Sequence, residues 1–144
     1  MNEELRPKVG VGVMVVKEGK VLLQLRGAGS SHGAGEYSFP GGHLEYMESV
    51  EACARRETLE ESGIEIDNPR LLLVYNMKTH PPLHFLGVNV LADWKSGEPK
   101  VIEPDKTVSW GWYDLNDLPS PIFDPTLRDI ETYKSGNWPC FIDG

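Results

Sequence analysis

The segment "GHLEYMESVEACARRETLEESGI", residues 42–64, contains the clearest structural signal in the chain. It has no Gly or Pro from Ser49 to Ser62, and Gly63 follows as a stop signal, which predicts a helix. Within little more than one turn, this helix carries three glutamates: Glu57, Glu60 and Glu61. Their negative charges repel one another, which is unfavourable unless another group compensates the charge.

The acidic residues of this helix do not lie opposite its apolar residues. At about 3.6 residues per turn, one stripe contains Val50, Cys53, Ala54, Glu57 and Glu61. Partial burial would add a desolvation cost to the repulsion between the carboxylates. A divalent cation that prefers oxygen ligands, Mg²⁺ or Mn²⁺, would remove both costs and would take its remaining ligands from water and substrate phosphates.

Length and composition predict one globular domain, residues 1–144. The chain has 40% hydrophobic and 25% charged residues, enough for a single core. Its net charge of -8 argues against a nucleic acid polymer as partner, because counterion release needs a basic face. A small phosphorylated substrate remains compatible with this charge if a cation lies between the two.

The two cysteines and the N-terminus indicate an ordinary intracellular protein. Cys53 and Cys140 form no disulfide framework, and neither has a histidine or other base beside it in sequence that would make it a nucleophile. The N-terminal "MNEELRPK" has neither an apolar signal core nor a spanning segment. We expect a cytoplasmic protein with no membrane partner.

Apolar runs elsewhere predict strands before and after the helix. A hairpin is expected over 7–16 and 21–26, a short strand over 37–39, and longer strands over 69–80, 83–94 and 107–115. A second helix is expected to begin with Asp124 as N-cap and Pro125 at the first helical position, and to end at Gly136. Strands, helix, strands and helix in this order predict an α/β or α+β layered fold.

Residues 42–64 resemble the Nudix box, G-x(5)-E-x(7)-R-E-U-x-E-E-x-G-U, where U is apolar. Thr58 stands at a position where the pattern has an aliphatic residue, and we expect its methyl group to pack there. The matching positions are Gly42, Glu48, Arg56, Glu57, Glu60, Glu61, Gly63 and Ile64.

The resemblance implies a mixed sheet between helices and hydrolysis of a nucleoside diphosphate linked to another group. Glu57, Glu60 and Glu61 would be ligands of Mg²⁺ or Mn²⁺, together with the carbonyl oxygen of Gly41. Arg56 would orient them as an ion-pair partner, and Glu48 would contact the helix or the metal shell. The catalytic set implied by the box is therefore Glu48, Arg56, Glu57, Glu60 and Glu61.

Two segments that extend beyond the box on either side resemble the branch of this superfamily that cleaves nucleoside triphosphates, including MutT-like enzymes. The resemblance rests on "GAGEYSFPGGHLEYMESVEACARRE" and "VIEPDKTVSWGWYDLNDLPSPIF". It implies that Glu103 can join the metal site, although a solvated loop acid is an equal alternative. Substrate contacts are expected from Arg26, Gly42, His43, Phe123 and Asp124.

Several of these residues could instead serve the structure alone. Arg26 could be a surface arginine, Phe123 could pack in the core, and Asp124 could serve only as a helix cap. His32 or His43 could touch phosphate, and Trp110 and Trp112 are expected in the core.

The resulting hypothesis is cleavage of a modified purine or pterin triphosphate to the monophosphate and pyrophosphate. ADP-ribose or a nucleotide sugar is the alternative substrate within the superfamily. A nucleotide sensor without turnover is the alternative from another class, and similar enzymes are often homodimers.

Overall fold

The computed structural model describes residues 5–144, except for the side chains of residues 79 and 80. Eight strands and two helices are present in that range. In chain order they are β1 (Lys8–Lys17), β2 (Lys20–Arg26), β3 (Tyr37–Ser38), β4 (Gly41–His43), α1 (Val50–Ser62), β5 (Glu65–His80), β6 (Leu83–Ser96), β7 (Thr107–Asp114), α2 (Asp124–Ser135) and β8 (Cys140–Asp143).

The strands form one mixed sheet in the order β3-β2-β1-β6-β5-β8, with β4 paired to β1 and β7 paired to β2. β1 runs parallel to β6 and β5 runs parallel to β8, whereas the other pairs are antiparallel. The predicted mixed sheet and α+β class are confirmed. The short strands β4 and β8 were not predicted, because three or four residues carry too little periodicity to be recognised.

The sheet lies between the two helices, and successive side chains of β1 pack on opposite faces of the sheet. Val13 packs in the core cluster that contains Ala54 of α1. Met14 packs in the second cluster, which contains Ile130 of α2. Trp110 and Trp112 pack against the α1 side of the sheet, as expected. No helix within residues 5–144 is both long and apolar enough to cross a membrane.

The start of α2 corrects one prediction. The cap position is Phe123, whose side chain makes no capping hydrogen bond, and Asp124 is already the first residue of the helix. The carboxylate of Asp124 instead accepts a hydrogen bond from the Tyr75 hydroxyl at 3.0 Å. The predicted end at Gly136 is confirmed, with φ of 73°.

Candidate active site

Helix α1 is held at both ends by local interactions. The side chain of Ser49 accepts a hydrogen bond from the backbone N–H of Ala52 at 3.0 Å and caps the first turn. At the other end Gly63 has φ of 79°, where a side chain would be strained, and its N–H donates to the Leu59 carbonyl. These contacts hold the acidic residues of α1 in one position relative to the sheet.

The buried face of α1 is partly polar. Cys53 and Ala54 are buried as expected, and the same face continues through Thr58 and Ser62. The Thr58 hydroxyl donates to the Ala54 carbonyl at 2.8 Å, and the Ser62 hydroxyl donates to the Thr58 carbonyl at 2.7 Å. Because backbone carbonyls satisfy both hydroxyls, threonine is tolerated at this aliphatic position of the motif.

Burial also decides the chemistry of Cys53. Loss of solvation raises the pKa of its thiol to about 12, and the charge of Glu48 adds to that rise. The thiol is therefore protonated at neutral pH and is no nucleophile.

Arg56 is surrounded by carboxylates. Its Nε and Nη2 donate to the two oxygens of Glu48 at 2.7 and 3.0 Å, a bidentate pair. Its Nη1 donates to Glu57 at 2.7 Å and to Glu60 at 3.2 Å. Hydrogen bonds from Arg56 are the main reason that the pKa of Glu48 falls to about 2. One guanidinium therefore holds three acids in fixed positions.

The carboxylate of Glu61 is the meeting point of three parts of the fold. Burial raises its pKa to about 7, and the negative charges of Glu57 and Glu103 act in the same direction. The backbone N–H of Gly41, which donates to Glu61 at 2.8 Å, and the charge of Arg26 oppose the rise. The Glu61 carboxylate is thus close enough to glutamates of α1 and of the β6–β7 loop, and to the Arg26 guanidinium of β2, to interact with their charges.

Strand β4 passes directly over this acidic end of α1. A methyl group added to the Cα of Gly42 would overlap the carboxylate of Glu57. A methyl group on Gly41 would overlap the carbonyl oxygen of Val11 in β1. Larger residues at these two positions would separate β4 from the helix or from the sheet, which accounts for the Gly-Gly pair in physical terms.

A cleft of about 1030 Å³ extends from the acidic end of α1 to the start of α2. Its floor is the sheet face that packs against α2, at positions where β1 and β6 carry Gly10, Gly12 and Gly87. Further along the same face, Met14 and Leu91 fill the core. The missing side chains of the glycines therefore create the cavity that the core residues would otherwise occupy.

Arg26 and Phe123 form one wall of the cleft. The Arg26 guanidinium lies 4.4 Å from the centroid of the Phe123 ring. Its Nε donates to the His32 carbonyl at 2.8 Å, and its Nη1 donates to the Ser38 hydroxyl at 3.2 Å. Phe123 is half-buried, lines the cleft and belongs to neither core cluster of residues 5–144.

The other predicted site residues lie around the same cleft. The rings of His32 and His43 stand 6.2 and 5.8 Å from the ring of Phe85 at the rim. Glu103 is exposed and forms an ion pair with Lys106 at 3.5 Å. Asp124 also lines the cleft, although its carboxylate is already bonded to a tyrosine.

The predicted metal ligands gather at one end of the cleft, but they do not form a finished cage. Within the described part of the chain, no three His, Cys, Asp or Glu side chains are arranged to hold an ion by themselves. Glu57 and Glu60 are turned toward Arg56, and Glu61 is turned toward the N–H of Gly41. Carboxylate oxygens at a desolvated position still fit a cation such as Mg²⁺, which binds one or two carboxylates and completes its shell with water and phosphate.

Two polar residues of the cleft were not predicted from the sequence. Asn89 and Asp129 are 5% and 2% exposed. The N–H of Gly12 donates to Asn89 Oδ1 at 3.1 Å, and Asn89 Nδ2 donates to Asp129 Oδ1 at 2.7 Å. Burial raises the pKa of Asp129 to about 8, with the hydrogen bond from Asn89 opposing the rise. The available signals were an amide inside the apolar run 88–92 and an acid beside Ile130.

Known proteins resemble this chain over most of its length. The profile of the NUDIX domain matches residues 6–133. An ADP-ribose pyrophosphatase from Methanocaldococcus jannaschii is 32% identical over 135 residues, which cover 92% of this chain and 78% of that protein. An oxidized purine nucleoside triphosphate hydrolase from Danio rerio is 36% identical over 114 residues, 74% of this chain and 66% of the relative.

A solved structure shows the same similarity at the level of the fold. The crystal structure of a MutT NUDIX hydrolase from Burkholderia pseudomallei superimposes with a TM-score of 0.81 at 36% identity. The superposition covers 88% of this chain and 98% of that one.

Proposed function

The chain belongs to the NUDIX family, and we propose that it cleaves a nucleoside triphosphate to the monophosphate and pyrophosphate. Its family and its pyrophosphatase relatives make it a hydrolase of pyrophosphate bonds. The proposed substrate carries a modified purine or a pterin. A single domain over residues 1–144 and a homodimer stay predictions.

One observation carries this proposal: carboxylates and an aromatic–cation wall line the same cleft. Glu57 and Glu61 lie at one end, under β4, and Phe123 with the stacked Arg26 guanidinium forms a wall at the start of α2. A nucleotide has the matching polarity, with a polyphosphate chain at one end and a flat base at the other. Aromatic faces bind bases of many kinds by stacking.

The proposed metal is Mg²⁺ or Mn²⁺, held by carboxylates of α1. The ligands would be Glu57 and Glu61, supplemented by Glu60, Glu103 and the carbonyl oxygen of Gly41. When bound, such an ion lowers the pKa of a coordinated water and neutralises phosphate charge.

The remaining side chains have positioning roles in this proposal. Glu48 fixes the Arg56 guanidinium, which in turn holds Glu57 and Glu60 at contact distance. Arg26 faces Glu61 and can pair with a substrate phosphate, which would replace the weak attraction between the two side chains. Because phosphoryl transfer requires little covalent work from side chains, such positioning accounts for much of the expected rate.

ADP-ribose is the second candidate substrate, favoured by the M. jannaschii relative, whose name states that activity. Its pyrophosphate lies between two sugars, so it would place a second ribose where the terminal phosphate of a triphosphate lies. A nucleotide sugar would likewise place its sugar at that position. The cleft volume accommodates either type of ligand.

The test is a product-identified reaction panel. The purified protein is incubated with Mg²⁺ and modified purine triphosphates, a pterin triphosphate, ADP-ribose and a nucleotide sugar, and products are separated by chromatography and identified by mass. Monophosphate and pyrophosphate support the proposal, with Glu61→Gln as the inactive control. Preferential formation of AMP and ribose phosphate would favour the second candidate. Saturable binding without any product would contradict hydrolysis and support a nucleotide sensor.

A further inference from the structure

Asn89 and Asp129 lie where the cleft meets the core, and the proposed hydrolysis gives them no role. Both line the cleft and both are at least nine-tenths buried. The glycine floor at Gly12 lies next to them: a methyl group added there would come within 3.1 Å of Asn89 Oδ1 and 3.7 Å of Asp129 Oδ2. The two polar side chains thus border the part of the cleft that lacks side chains.

The orientation of Asn89 is fixed by its neighbours. A backbone N–H can only donate, so the oxygen of the Asn89 amide must face Gly12, at 3.1 Å. The amide nitrogen then faces Asp129 and donates to Oδ1 at 2.7 Å. Asn89 therefore acts as a positioning residue that holds the Asp129 carboxyl group at one end of the cleft.

The second oxygen of Asp129 is available to a ligand. No hydrogen bond or ion pair to Oδ2 is present among the described residues, and no cation balances the carboxyl group. Burial raises the pKa of Asp129 to about 8, so the group is mainly protonated at neutral pH. Because Oδ1 accepts from Asn89, the proton is on Oδ2, where the O–H can donate to an acceptor in the cleft.

A carboxyl group at this position of α2 costs free energy, because burial disfavours its ionised form. An apolar residue at the same position would avoid that cost. Groups that reduce stability and lie in a cleft are typical of functional sites.

We propose that Asp129, positioned by Asn89, binds the edge of the purine or pterin ring of the substrate through Oδ2. A ring nitrogen or a carbonyl oxygen of the fused heterocycle accepts the hydrogen bond, and the planar ring lies over the glycine floor of the cleft. This inference rests on the proposed nucleotide hydrolysis and identifies Asp129 as the residue that selects the base.

Backbone contacts connect this end of the cleft to the carboxylates of α1. Asn89 is bonded to Gly12, which pairs with Gly41 in the register of β1 and β4, and Gly41 donates to Glu61. A base held at Asp129 would therefore lie on the same β1–β4 pair that contacts Glu61, and its phosphate chain could extend toward that carboxylate. In this proposal the cleft binds the base at Asp129 and the phosphates near the carboxylates of α1, and the paired strands β1 and β4 connect the two ends.

The test compares Asp129→Leu and Asp129→Asn with the wild type, and Glu131→Gln on the exposed face of α2 is the control. Far-UV circular dichroism verifies that each variant is folded, and Asp129→Ala replaces the leucine variant if leucine does not fit. Calorimetry gives Kd for GMP and for neopterin, and inhibition gives Ki for inorganic tripolyphosphate, which has no base. KM is measured for GTP wherever turnover occurs.

Removal of the donor in Asp129→Leu should raise Kd for GMP or neopterin, and KM for GTP, by about ten- to a hundredfold. Asp129→Asn should stay within about threefold of wild type, because its amide can donate in place of the hydroxyl. The tripolyphosphate Ki should change in neither variant.

Unchanged Kd and KM in Asp129→Leu would overturn the inference. A parallel loss of tripolyphosphate affinity would also overturn it, because it would indicate a structural role. A wild type that binds GMP through Asp129 but hydrolyses no triphosphate would support the inference and refute the proposed function, so the two failures are distinguishable.

Discussion

The backbone N–H of Gly41 donates a hydrogen bond to the carboxylate of Glu61 at 2.8 Å. This contact joins the acidic end of α1 to β4, the strand that closes over it. Because the acid is partly desolvated and has other acids as neighbours, its environment favours either a proton or a cation. Glu61 is therefore the side chain of α1 whose substitution should be most informative.

Replacement of Glu61 by Gln should lower kcat by about a hundredfold or more, because it removes a proposed metal ligand. The melting temperature should be unchanged or higher, since repulsion from Glu57 is relieved. Steady-state kinetics and thermal unfolding measure the two effects. Glu51→Gln, on the exposed side of the same helix, is the control and should behave as wild type. Full activity in Glu61→Gln would refute its assignment.

Added Mg²⁺ should stabilise the protein, because ligands that bind only the folded state raise its free energy of unfolding. We expect a higher melting temperature in Mg²⁺ than in EDTA for the wild type and a smaller difference for Glu61→Gln. EDTA should abolish hydrolysis while the far-UV spectrum stays unchanged. Equal melting temperatures with and without the ion, together with activity in EDTA, would exclude the proposed metal site.

Arg56→Lys should impair both stability and turnover. Lysine cannot make the bidentate pair with Glu48 while also contacting Glu57 and Glu60, so at least one acid loses its partner. Urea unfolding should show a loss of about 1–3 kcal/mol, and kcat should fall. Arg70→Lys, which alters a surface ion pair with Asp93 and a hydrogen bond to the Asn68 carbonyl, provides the comparison and should cost about 0.5 kcal/mol or less. Equal losses in the two variants would contradict a special role for Arg56.

Phe123→Ala should raise KM by about tenfold and reduce discrimination between bases, because a stacking surface is lost. The Arg26 guanidinium, stacked on that ring at 4.4 Å, should also become less well positioned. Initial rates over a set of triphosphates measure both effects. Phe141→Ala removes an 82% exposed ring outside the cleft and should leave KM unchanged. If Phe123→Ala also leaves KM and base preference unchanged, the stacking role is wrong.

Asp129 should make the free energy of unfolding depend on pH. Its pKa is about 8 in the folded protein against an ordinary value of 3.8, so the folded state holds more protons between these values. Stability should therefore be highest at the acid end of this window and fall as the pH rises through it, by up to about 1.4 kcal/mol per pH unit. Urea unfolding of wild type and Asp129→Asn from about pH 5 to about pH 8 isolates this contribution.

In this comparison the asparagine variant should show the flatter profile and the higher stability at the alkaline end. Glu131→Gln, an exposed acid of the same helix, should keep the wild-type slope. Parallel profiles for wild type and Asp129→Asn would mean that the carboxyl group is ionised in the folded protein.

Local signals account for the features that were predicted correctly. The ends of α1 follow from Ser49 and Gly63, which act on backbone groups only a few residues away. The hairpin of β1 and β2 follows from two adjacent apolar runs. Helix α2 begins one residue earlier than predicted, and the carboxylate of Asp124 accepts a hydrogen bond from the hydroxyl of Tyr75 instead of capping the helix. A partner so far away in sequence cannot be recognised from local spacing.

The sequence by itself determined α1, its acidic residues and the superfamily motif that they complete, because these depend on spacing within 23 residues of chain, 42–64. Only the tertiary structure decided which side chains share the cleft with them. Asn89 is 77 residues from Gly12 and 40 residues from Asp129. They meet because β1 lies parallel to β6 and because alternation in both strands turns Gly12 and Asn89 toward α2. Residue spacing along the chain does not predict such a contact, because strand pairing and helix docking create it.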